Sequence, residues 1–312
     1  MRTPPIYRIL PVAVLAAMAA VALFAPVRSV TDSWIPLMSG LEMGFLSDNG
    51  TVSILLGTGL IGAVLFSLFF LLRRSAAMKY PAVAVIFLLL LSSIPTFLQF
   101  NAVYVMLLLL VWTHFCIVEK QIFTAFMLLS LASLFYAPAI WLAPLSLIFI
   151  PLSGAPDSLK SFVKALAGFL LPHVYMLVFR WMTFDDAGIY LIKFWECMKD
   201  ITLFDREFEL PSLFMFIYLA YLVCRASIFA LRSSTSKLVQ AILKMQILSL
   251  AMLLPFFVCF DRDVLPLFPV MAYPSAVLVA FYLSNYTNTK RSRAEMGLLL
   301  LSVIINSLSI FV

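Results

Sequence analysis

The chain has 312 residues, 64% of them hydrophobic and only 12% charged, with a mean hydropathy of +1.08 and a net charge of +6. A soluble domain needs a polar surface that this composition does not supply, so the class is a polytopic membrane protein. No basic stripe interleaved with aromatics and no recognisable nucleic-acid module occurs, so nucleic-acid binding is excluded as the meaning of the positive charge.

In chain order, apolar runs fall at about 10–25, 51–72, 80–98, 102–118, 122–136, 138–152, 163–180, 211–231, 239–258, 264–285 and 296–312. Most are about 17–22 residues long, the length that carries a helix across roughly 30 Å of hydrocarbon. Porin-like alternation is absent, so the sequence predicts an all-α transmembrane bundle of about 11 spans. The first run follows Arg2 and Arg8 and reads as an uncleaved span rather than a signal peptide, because many further spans follow it.

With the amino terminus in the cytoplasm, thirteen basic residues fall inside: Arg2, Arg8, Arg73, Arg74, Lys79, Lys120, Lys160, Lys164, Arg232, Lys237, Lys290, Arg291 and Arg293. Outside lie Arg28, Lys193, Lys199, Arg206 and Arg262, with Arg180 near that boundary. This is the positive-inside bias of an inner-membrane protein. It holds on both sides of 122–152, which favours a short helical hairpin there that crosses twice. Within that stretch YAPAIWLAP (136–144) carries Pro138 and Pro144, which can divide it into short or re-entrant helices.

Twelve of the fifteen acids fall outside. The first outer loop, 26–50, holds Asp32, Glu42 and Asp48 among apolar residues and suits an interfacial helix. As chemistry, those three carboxylates are candidate general bases, or ligands for a divalent cation steadying a diphosphate leaving group. The second outer loop, 182–210, contains Asp185 and Asp186, then Ile189, Ile192, Trp195 and Met198 at helical spacing, then Asp205, Glu207 and Glu209 before Pro211. It reads as an amphipathic juxtamembrane helix followed by acids that complement a helix start.

In the turn Asp261-Arg262-Asp263, Arg262 is a candidate phosphate ligand or a clamp to the acidic loop, and Asp185, Asp186, Asp261 and Asp263 are candidate substrate contacts beside it. Among residues within spans, Arg180, Arg225 and Lys244 read as snorkelling cations, with Lys244 also a candidate contact for an anionic lipid head. His173, after Pro172, reads as a structural hydrogen-bonding group, and His114 reads the same way. In GTGLIGAV (57–64), Gly57, Gly59 and Gly62 permit close helix approach; no lysine with serine or threonine follows, so it is not a phosphate loop. The four cysteines form no close pair, and neither they nor the histidines suggest a resident metal or cofactor.

One amino-terminal span, an acid-containing first outer loop (Asp32, Glu42, Asp48), closely spaced middle helices and the run LASLFYAPAIWLAPLSLIFIPLSGAPDSLKSFVKALAGFLLPHVYM (131–176) resemble the membrane region of C-superfamily polyprenyl-phosphate-dependent glycosyltransferases. The run more closely resembles a family of uncharacterised multi-pass inner-membrane proteins from Bacteroidota. The first resemblance implies a glycosyltransferase-C-like layout and, in its active form, glycosyl or phospho-group transfer from a polyprenyl-phosphate lipid at the outer face, with a divalent cation. Its members place paired acids early in the first outer loop, whereas here Asp32 stands beside Ser33 and Glu42 and Asp48 are dispersed. The expectation is therefore an integral membrane interaction or scaffold subunit of a bacterial cell-envelope assembly, with membrane lipids and complex partners around it. Transferase activity is the alternative, and transport of a small molecule or lipid is a third.

Overall fold

The structure is a computed structural model that describes residues 13, 15–17, 50–72, 79–93, 97–135, 139–140, 142–152, 158–184, 187–189, 191–192, 195, 210–259, 268–286 and 289–309. The described residues contain helices and no strands. The helices are α1 (Gly50–Leu72), α2 (Tyr80–Leu91), α3 (Ala102–Val118), α4 (Ile122–Phe135), α5 (Leu142–Ser146), α6 (Phe149–Leu152), α7 (Ser158–Phe184), α8 (Leu210–Arg232), α9 (Lys237–Cys259), α10 (Phe268–Asn285) and α11 (Thr289–Ser309).

Four segments are long and apolar enough to cross a membrane: Thr51–Leu72, Leu159–Phe184, Leu213–Arg232 and Phe268–Asn285. Tyr80–Leu91, Val103–Val118 and Ile122–Phe135 are shorter apolar helices. The segment 138–152 is not one continuous limb, because α5 and α6 are separated by a turn and have only five and four residues. Prolines at 138, 144 and 151 lie across it, and each withdraws a backbone donor.

Local sequence explains several boundaries. Asn101 caps α3 by accepting the Val103 backbone N–H on its side chain at 2.9 Å. Pro81 sits in the first turn of α2, where no intrahelical donor is needed. The α3–α4 connection closes through Lys120, whose φ of 61° lies in the left-handed region. There the Gln121 N–H returns to the Cys116 carbonyl and the Lys120 N–H to that of Ile117, satisfying the end of α3.

At the centre of the bundle is α10, which packs on α2, α3, α8, α9 and α11. From Phe268 to Tyr282 nearly every side chain is buried, and Tyr273, Tyr282, Phe268 and Phe281 are among the largest fully buried groups. Asn306 Nδ2 fixes α11 against α2 by donating to the Ser93 carbonyl at 3.2 Å, while Ser307 Oγ shares its one proton between the Val303 carbonyl of its own helix at 2.9 Å and the Ser92 carbonyl at 3.2 Å. The C-terminal ends of α2 and α11 therefore lie together. Unlike α10, α7 is peripheral: it packs on α4 and α6 and leaves most of its surface exposed.

Glycine decides two close approaches. A Cβ on Gly57 would strike the backbone of Leu98 and Gln99, and one on Gly168 would strike the Phe123 carbonyl of α4. By contrast, Gly59 faces open space and Gly62 only an ordinary contact with Leu15, so the seam expected from the three clustered glycines is made at Gly57 alone.

Candidate functional site

Of the residues singled out from the sequence, Asp32, Glu42, Asp48, Asp185, Asp186, Asp261, Arg262 and Asp263 lie outside the described residues. Lys244 is exposed on α9, consistent with a cation reaching the headgroups. In the segment 182–210, Ile189, Ile192 and Trp195 are helical and exposed. Arg180 is buried rather than snorkelling into water, with its guanidinium 5.7 Å from the Phe184 ring centroid.

The polar chemistry that the described helices do assemble occupies three places. Deepest is a network joining α3, α9 and α10. Gln246 Nε2 donates to the Tyr273 hydroxyl at 3.0 Å, and that hydroxyl lies 2.9 Å from His114 Nδ1. His114 Nε2 lies 3.1 Å from Ser249 Oγ. The direction of the two His114 contacts follows its tautomer: with Tyr273 donating to Nδ1, the imidazole carries its proton on Nε2 and gives it to Ser249. All four side chains are buried. One amide atom of Gln246, Oε1, has no partner among the described residues. A directed chain of this kind suits helix pairing, or proton handling where both ends reach water.

The second place is the seam between α4 and α7. Ser133 Oγ donates to the Ser130 carbonyl at 2.7 Å and so accepts from His173 Nε2 at 3.0 Å. His173 follows Pro172, whose ring frees the Gly168 carbonyl four residues back. Successive turns of α7 thus bring a backbone close approach at Gly168 and a side-chain hydrogen bond at His173 to α4.

The third is a charged cluster where α8, α10 and α11 meet. Arg225 Nη1 donates to Glu295 Oε1 and to the Tyr221 hydroxyl, the latter at 3.1 Å. Arg291 Nε reaches the same carboxylate oxygen at 3.2 Å. Tyr218 donates to the Glu295 carbonyl at 3.0 Å. The rings of Tyr221, Tyr282 and Tyr286 stand 5.6, 5.3 and 5.9 Å from the Arg225 guanidinium carbon, in cation–π range. Arg225 is therefore not a simple snorkeller but the centre of an interhelical clamp.

Sequence reasoning missed Glu295 and its tyrosines. Arg291 and Glu295 stand four residues apart on one helix, a spacing legible in sequence. The pairing with Arg225, seventy residues away, is not. Among the described residues no cluster of three metal-ligating side chains forms. No family model matches the chain, and neither a curated protein nor a solved structure matches it.

Proposed function

We propose that the protein is an integral membrane interaction or scaffold subunit of a bacterial cell-envelope assembly, lying in the inner membrane with its amino terminus in the cytoplasm. In this reading about eleven crossings are arranged in a glycosyltransferase-C-like layout that serves assembly rather than chemistry. The observation that carries it is Tyr175 on α7. This side chain is 72% exposed and makes no hydrogen bond among the described residues. It lies nine residues, about 13 Å, from the Phe184 end of a helix of 27 residues.

A phenolic hydroxyl at that depth facing hydrocarbon is costly, and a neighbouring protein chain is what satisfies it. Leu166, Leu170, Val178 and Met182 are exposed on the same helix, so the surface available for an intramembrane partner is broad. The buried network and the clamp support the same reading, since their polar groups are spent largely on one another and hold helices together.

The test is photocrosslinking in native cells from position 175, with Phe66 on the exposed side of α1 as the comparison site. A discrete protein adduct at 175 that is absent at 66, together with retained function in Asp32→Asn, Asp185→Asn and Asp261→Asn, is the expected result. Lipid adducts alone at both positions, with one carboxylate variant inactive although folded, would replace this reading by group transfer on a polyprenyl-phosphate substrate with a divalent cation.

A further inference from the structure

The buried polar chain through α3, α9 and α10 ends on the helix where it begins. It runs from the Gln246 amide through the Tyr273 hydroxyl and the His114 imidazole to the Ser249 hydroxyl. Both ends belong to α9, one turn apart. Gln246 is fully buried, and its Oε1 has no partner among the described residues. Ser249, also buried, hydrogen-bonds there to His114 alone.

The protons along the chain determine what its two ends leave over. A neutral imidazole gives one proton and takes one, a hydroxyl gives one, and a primary amide both gives and takes. With Tyr273 donating to Nδ1, a Gln246 N–H is spent on Tyr273 and the His114 proton on Ser249. Left over are the Ser249 O–H, a donor, and Gln246 Oε1, an acceptor. With the other tautomer and the amide turned over, every bond reverses, and the ends left are a Ser249 lone pair and a Gln246 N–H. In both states one end gives and the other takes.

That pairing selects the class of ligand. A cation needs acceptors at both ends, and an anion needs donors at both. A neutral molecule that takes one proton and gives another fits, and the spacing limits its size. Side chains three residues apart on a helix stand about 5–6 Å apart, a gap that two end-to-end hydrogen bonds of about 2.8 Å span.

We propose that α9 binds one structural water between Gln246 and Ser249. The water takes a proton from one and gives a proton to the other, so that the open chain becomes a closed ring through three helices. Its bonds satisfy an amide oxygen that otherwise bears the cost of desolvation. The same water serves both tautomers of His114, because its own two bonds reverse with the rest.

The test is X-ray radiolytic footprinting of the full chain in lipid nanodiscs, where a water held within the bundle releases hydroxyl radicals beside its own neighbours. Tyr273, fully buried and at hydrogen-bond distance from Gln246, is expected to be oxidised. Phe87, equally buried in the apolar core, is expected to stay unmodified. Gln246→Leu and Ser249→Val each replace one end by apolar atoms, and each is expected to abolish the Tyr273 label. Phe87 reports in the same sample whether a variant is folded, and the unaltered protein decides the matter even where both variants unfold. An unoxidised Tyr273 in the unaltered protein would overturn the proposal. Equal oxidation of Phe87 there, or a Tyr273 label that persists in either folded variant, would do the same.

Discussion

Replacing Gly168 with alanine tests whether α7 is seated on α4 as tightly as described. The new methyl group would meet the Phe123 carbonyl oxygen well inside van der Waals contact, with the Phe123 carbon at 3.1 Å and Met127 N at 3.3 Å. All three are helix backbone, which cannot turn aside as a flexible side chain would. Relief requires α7 to move outward, and the Ser133–His173 hydrogen bond one turn along the seam, now 3.0 Å, is stretched with it. Overpacking of this type costs about 1–3 kcal/mol. Loss of an intramembrane hydrogen bond adds about 0.6–1.7 kcal/mol. The better helix propensity of alanine returns about 1 kcal/mol. The net is a destabilisation of roughly 1–4 kcal/mol from these terms together. Unfolding measured by steric trapping in bicelles reads this directly. Gly59→Ala is the control, because nothing lies within 4 Å of its Cβ position, and it is expected to be neutral or slightly stabilising. A Gly168→Ala protein as stable as the parent would refute the close approach of α4 and α7.

Three further outcomes are expected. His114→Phe leaves the Tyr273 hydroxyl and Ser249 without their shared partner and lowers stability by about 1–3 kcal/mol in the same assay, whereas Gln246→Leu, which also removes an unpartnered oxygen, costs less. Arg225→Met strands a buried carboxylate on half-exposed Arg291 and destabilises by about 3 kcal/mol, and adding Glu295→Met recovers most of that loss in a double-variant comparison. Single cysteines placed at 42, 205 and 236 and labelled with an impermeant thiol reagent report 42 and 205 on one side of the membrane and 236 on the other; opposite sides for 42 and 205 would separate the two acidic outer loops.

Several features were legible before any fold was known. The helix ends follow from local chemistry that the sequence analysis did not use, the Asn101 cap of α3 and Pro81 in the first turn of α2. The sidedness read from the basic residues rests on sequence alone. His173 was read as a structural hydrogen-bonding group and is one. The acids of the outer loops lie outside the described residues, so the shared outer site expected from them rests on sequence alone. The Gly57–Gly62 pattern was read too regularly, since only Gly57 meets a neighbouring backbone, whereas the division of 138–152 into the short α5 and α6 is one that Pro138 and Pro144 allowed.

The sequence by itself determined solvent and secondary structure, because hydropathy and backbone satisfaction are sums over neighbouring residues and a lipid core leaves an apolar chain little choice but helix. Tertiary structure alone decided which helix is central, which glycine touches backbone, and which distant groups share a proton or a charge. The physical reason is that protein interior and lipid are both apolar. An exposed Leu298 and a buried Leu299 are interchangeable in hydropathy, and no local period distinguishes the face that meets a helix from the face that meets the bilayer. Only packing could bring Arg225 to Glu295 and Gln246 and His114 to Tyr273.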